Sequence, residues 1–120
     1  MSIQIFKELT VWQKSMKLAK EIYVVTEKLP RTELYGLSSQ MRRCAVSIPS
    51  NIAEGSKRKT TKDFLQFLHI ADGTCSELET QLLLTKDLFT NILIDEPTAL
   101  LTEVQRMLGA MMKSLYASLL

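Results

Sequence analysis

The chain has 120 residues, the size of one ordinary domain built on one core. Hydrophobic residues make up 46% and charged residues 23%, which excludes a disordered tail, while four Gly and three Pro are too few for the turns of a many-stranded sandwich or barrel. The formal net charge of +2 falls short of a dedicated nucleic-acid domain, but its distribution is uneven. Residues 38–62 carry six bases (Arg42, Arg43, Lys57, Arg58, Lys59, Lys62) against one acid (Glu54), a local +5, and the remainder carries nine bases and twelve acids. Uninterrupted apolar runs such as Leu82-Leu83-Leu84 are far shorter than the roughly 20 residues that span a bilayer, so no membrane partner is expected. The first seven residues lack a basic region followed by a long apolar stretch, which predicts no secretory leader and a cytoplasmic address.

In chain order, Thr10 is placed as an N-cap with Gln13 three residues on, and a first helix runs from there to about Leu29, ended by Pro30. Its apolar stripe is Trp12, Met16, Ala19, Tyr23, Thr26 and Leu29, recurring at spacings of three and four. Residues 31–36 read as a connection in which Gly36 permits a left-handed exit. A second helix from Ser38 carries Leu37, Met41, Cys44, Ile48 and Ile52 on one face, with Gly55 as its C-terminal cap and Pro49 predicting a kink or a break. Thr60 or Thr61 caps a third helix, whose apolar spacing through Phe64, Phe67, Ala71, Cys75, Leu78, Leu82, Thr85 and Phe89 spans nearly thirty residues, a length typical of bundles. Gly73 interrupts it and predicts the close approach of a neighbouring helix.

Asp95 caps a fourth helix with Pro97 in its first turn. Leu101, Val104, Leu108, Met111, Leu115 and Leu119 form one seam, and Leu100, Met107, Ala110 and Ala117 add a second apolar flank. That surface is wider than one bundle seam requires, so Leu100, Met107, Met111 and Met112 are expected at an interface between subunits. The short connections predict an all-α, up-down-up-down antiparallel four-helix bundle.

Catalytic chemistry has little to build on. Cys44 and Cys75 have neither metal-ligand nor CxxC spacing and read as core thiols, and His69, the one histidine, has only Asp72 at a suitable spacing. No phosphate loop occurs, Ser47 and Ser50 have no nearby histidine base, and Glu77 and Glu79 point in different directions on a helix. The expectation is a protein without enzymatic activity, metal or cofactor. The basic run supplies the clustered cations that phosphate binding needs, and with no aromatic interleaved it favours contact with backbone or shape over base stacking. The same bases also suit the solvated end of a protein-interaction scaffold, and both readings stay open.

Particular residues carry a likeness beyond this. They are Leu9-Thr10-Val11-Trp12-Gln13, Ile22-Tyr23, Leu29-Pro30 with Glu33, Gly36-Leu37 and Gln40-Met41-Arg42-Arg43. The densest stretch is Ser47-Ile48-Pro49-Ser50-Asn51-Ile52-Ala53-Glu54-Gly55, followed by Asp63-Phe64 and by Gly73 with Ser76-Glu77-Leu78-Glu79-Thr80. With these the sequence resembles the four-helix-bundle family encoded in intervening sequences of bacterial 23S ribosomal RNA genes. The resemblance implies assembly into a ring-shaped homopentamer and kinship in fold with the accessory protein of diversity-generating retroelements. It points to RNA or DNA, a reverse transcriptase or a ribosomal component as partners, and to no reaction. Within the dense stretch, Pro49 is expected to kink the helix, Ser47 and Asn51 to bond carbonyls freed by the kink, Glu54 to pair with Arg58 or Arg43, and Gly55 to end the helix so that residues 57–59 turn outward.

Overall fold

Long apolar periodicities with few breakers fold into four helices in the computed structural model, which describes residues 3–120 with side chains from Phe6 onward. They are α1 (Thr10–Glu27), α2 (Leu37–Ser56), α3 (Thr61–Leu88) and α4 (Asp95–Ser118), with short 3-10 helices at Ile3–Glu8 and Arg31–Glu33. The expectation about the first seven residues falls partly outside the described residues. Packing runs α1 on α2, α2 on α3 and α3 on α4, and α4 closes back on α1. Helices of this length joined by so few residues can touch their neighbours only by running antiparallel, which gives the expected up-down-up-down bundle, 48 × 21 × 20 Å.

The core runs the length of the bundle. Leu18 and Ile22 from α1 meet Met41, Ile48 and Ile52 from α2, Leu68, Leu78 and Leu82 from α3, and Leu101 and Leu108 from α4, all fully buried. Each such side chain is worth about 1.5–3 kcal/mol of burial. Both cysteines are buried and free.

Several local expectations need correction. The buried stripe of α1 is Val11, Ser15, Leu18, Ile22, Val25 and Thr26, one position away from the predicted one at most sites. Ser15 fits the core because its hydroxyl is satisfied by the Trp12 carbonyl at 2.8 Å, and Thr26 likewise donates to the Tyr23 carbonyl at 3.0 Å. Trp12, Met16 and Ala19 are half-buried, and Tyr23 is exposed, on the edge facing α2. Thr10 is not the cap: Leu9 occupies that position without a side-chain bond, and the Gln13 amide donates to the Lys7 carbonyl at 2.9 Å instead.

Neither Gly36 nor Gly55 adopts positive φ. Gly55 lies inside α2 and does not end it; Lys57 stands at the C-cap. Its lack of a side chain serves packing, since a Cβ there would stand 2.6 Å from Phe67 Cβ and 2.9 Å from Phe64 Cδ1. Gly73 is the reverse case: it is exposed, with nothing within 4 Å of a Cβ, so no neighbouring helix approaches it. Asp95 is the first residue of α4, not its cap, and with Glu96 places negative charge in the first turn, where the helix dipole favours it.

No break occurs at Pro49, and α2 is assigned as one helix through it. The Ser50 hydroxyl donates to the Val46 carbonyl at 2.7 Å, and the Asn51 amide donates to the Ser47 carbonyl at 2.8 Å and to the Ser47 hydroxyl at 3.0 Å. These bonds strengthen the turn around Pro49 but do not reach the Ala45 carbonyl, the one that the missing proline N–H would have served.

Candidate nucleic-acid interface

The α2–α3 turn is shaped by the close packing at Gly55. Phe64 is buried and Phe67 half-buried against the end of α2, so the chain must reverse within residues 57–60. A turn this short has no room to bury long cationic side chains, and Lys57, Arg58, Lys59 and Lys62 are all exposed around it. Residues 56–61 with Phe64 and Leu115 line a recess of about 330 Å³ there. Thr60 caps α3, its hydroxyl accepting from the Asp63 N–H at 3.1 Å, and the partial positive charge of the helix start adds to the four cations.

The four cations are not equivalent. The Arg58 guanidinium donates to Glu54 Oε1 at 3.0 Å, the i, i+4 pairing being the one of the two expected alternatives that forms, and it lies 4.6 Å from the Phe67 ring centroid. Both members of that pair are about half exposed, so it contributes at most about 1 kcal/mol. Lys57 Nζ lies 5.8 Å from the centroid of Phe6. Lys59 and Lys62 form no ion pair among the described residues.

Arg42 and Arg43 stand apart from this cluster, about 20 Å back along α2 at 1.5 Å per residue. Arg42 is half-buried against α1, donating from Nε to Thr26 Oγ1 at 2.8 Å and lying 4.7 Å from the Tyr23 centroid. Arg43 borders a polar recess of about 320 Å³ with Gln40, Cys44, Glu77 and Gln81. The structure thus brings together four of the six bases singled out from sequence. It also places Phe6, Tyr23 and Phe67 beside three of the bases, contacts invisible in sequence order because the rings come from other segments.

The other residues of interest are structural in their surroundings. Burial pushes the Cys44 thiol up, with the Gln81 amide, which donates to its sulfur at 3.5 Å, opposing and the Glu77 carboxylate reinforcing the shift. Burial, aided by Asp72 and Glu79, pushes Cys75 up to about 12, so both are poor nucleophiles and poor metal ligands at neutral pH. His69 is exposed and shares a 2.6 Å hydrogen bond with the Tyr116 hydroxyl, joining α3 to the last turns of α4. No group of three His, Cys, Asp or Glu side chains suited to a metal occurs among the described residues. On α4, Leu100 and Met112 are buried within the protomer, and Met107 and Met111 are half-buried against its core.

A family model described as 23S rRNA-intervening sequence protein matches residues 7–110. The chain belongs to the 23S rRNA-intervening sequence protein family. The match takes in α1, α2, α3 and most of α4, so the basic turn, the Gly55 packing and the Pro49 segment all fall inside it. No individually curated protein matches the sequence. No described helix of the chain is long and apolar enough to cross a membrane.

Proposed function

We propose that the protein is a non-enzymatic, self-associating helical bundle that binds the backbone of RNA or DNA through the α2–α3 turn. The observation that carries this reading is the clustering of Lys57, Arg58 and Lys59 on one exposed turn at the end of the bundle, with Lys62 exposed in the first turn of α3 beside it. Lysine and arginine heads held on one face neutralise successive phosphates and release counterions, which requires no base-specific contact. Self-association, which the family resemblance implies as a pentamer, repeats the patch and raises avidity without enlarging it. Arg42 and Arg43 then form a second, weaker point of contact further along α2.

The test is replacement of Lys57, Lys59 and Lys62 with Ala, followed by the salt dependence of RNA and duplex DNA binding. For every phosphate that the variant no longer neutralises, the log–log slope becomes shallower by about 0.9 on duplex DNA. An unchanged slope overturns the assignment of these residues. A protein-interaction scaffold without nucleic-acid binding is the second reading, favoured by the apolar groove between α1 and α2, and it predicts no binding by the parent protein at low salt.

A further inference from the structure

We propose that His69 and Tyr116 form a stacking platform for an unpaired base of a single strand whose phosphates lie on the basic turn. The basic run itself holds no aromatic residue, and the fold supplies two from outside it. Because α4 runs antiparallel to α3, its last turns return to the end of the bundle where α3 begins, and Leu115 borders the recess of the basic turn. Adjoining that recess is a second one of about 380 Å³, lined by Lys62, Leu65, Gln66 and His69 of α3 and by Tyr116 and Leu119. Lys62, Gln66 and His69 stand at spacings of four and three, so they form one line leading from the cations along α3, roughly 10 Å from Lys62 to His69.

The two rings are placed to receive a base. Both side chains are exposed, Tyr116 by 49%, and their 2.6 Å hydrogen bond holds rings from different helices in a fixed relation. They are tilted by 56° with centroids 5.8 Å apart, so they do not stack on each other. Phe6, Tyr23 and Phe67 each have a cation of this chain over the ring, whereas no such cation lies over Tyr116 among the described residues. Leu65 is buried behind the recess and Leu119 is exposed at its edge, an apolar setting that suits the flat body of a base better than a further phosphate. The surrounding charge favours a polyanion. Residues 56–71 carry four bases and one acid, Asp63, and residues 104–120 carry Arg106 and Lys113 and no acidic side chain. The bundle end thus offers cations for a backbone and rings for bases, the combination by which proteins hold single strands. A duplex keeps its bases stacked inside and gains nothing from the rings, so the occupant favoured is a single strand.

This inference rests on the nucleic-acid binding proposed above, and the experiment separates the two. Fluorescence anisotropy of the full chain is read with a labelled oligouridylate and with duplex DNA of equal length, from about 50 mM salt upward. Tyr116→Ala is expected to weaken oligouridylate binding by on the order of tenfold, the usual worth of one stacked base. Duplex affinity and both salt slopes should stay those of the parent, because the ring neutralises no phosphate. Tyr116→Phe, which keeps the ring and removes the hydroxyl, should retain the oligouridylate affinity. His69→Ala should show the same selective loss, and it replaces Tyr116→Ala if circular dichroism shows that the latter does not fold. A parent that binds neither ligand at the lower salt overturns the proposed function and this inference together. A parent that binds duplex alone, or ring removals that weaken both ligands equally or neither, overturns the platform and leaves the basic turn in place. Equal losses in Tyr116→Phe and Tyr116→Ala also overturn it, since the hydroxyl and not the ring would then matter.

Discussion

Two glycines show how the same residue type answers to opposite surroundings. Gly55 is compressed between α2 and the phenylalanines of α3, whereas Gly73 faces open solvent. Ala at Gly55 should destabilise the protein by about 1–3 kcal/mol through overpacking, despite its better helix propensity. At Gly73 the same change should stabilise by about 0.5–1 kcal/mol. Urea denaturation midpoints of the two variants check this, and shifts of the same sign would refute the packing assigned to one of them. Cys75 supplies a pH dependence at the same scale. Its folded thiol, pushed up to about 12, keeps its proton while the unfolded thiol releases it near the ordinary value of 9.0. The resulting stability is fully present below pH 9.0 and is lost as the pH rises toward about 12. The parent should therefore lose thermal stability above pH 9.0 more steeply than Cys75→Ala; parallel profiles would show that the thiol does not contribute.

Among the elements, the existence and order of the four helices were legible because amphipathic periodicity and Gly and Pro punctuation agree along the chain. The rotation of α1 was not. Two apolar stripes run side by side on that helix, and the larger side chains Trp12, Met16 and Tyr23 outweigh Ser15 in any reading by hydrophobicity, although Ser15 is buried once its hydroxyl finds the Trp12 carbonyl. Of the kink or break expected at Pro49, the break does not occur: α2 continues through it, with Ile48 and Ile52 fully buried on either side. The turn itself was readable as a basic connection. The restraint of Arg58 by Glu54 was one of two pairings left open, and the ring of Phe67 beside it requires the fold. Glu54→Gln should change stability by less than about 1 kcal/mol, since the pair is half exposed, yet it frees Arg58 and makes the patch one charge more positive. Polyanion affinity should rise in that variant with a steeper salt dependence, as read by fluorescence anisotropy; weaker binding would mean that Glu54 orients Arg58 for the ligand.

For the molecule as a whole, a modest net charge conceals a division of labour between surfaces. Cations gather at the α2–α3 turn, where Lys57, Arg58 and Lys59 are exposed, while twelve of the thirteen acids lie outside residues 38–62. The sequence showed the local excess of +5 but not that its members separate into a cluster at the turn and two arginines further back, because that division depends on helix length and on which neighbour each side chain meets. It also endowed α4 with a surplus apolar flank, of which Leu100 is taken up inside the protomer, as is Met112, which was expected with it at a subunit interface. The central claim is that the basic turn binds nucleic-acid backbone. The most direct measurement is the anisotropy of labelled RNA and duplex DNA with the purified full chain at about 50 and about 200 mM salt, the interval over which phosphate-dominated binding collapses. The account predicts binding at the lower salt that falls steeply at the higher; failure of both ligands to bind at the lower salt would contradict it.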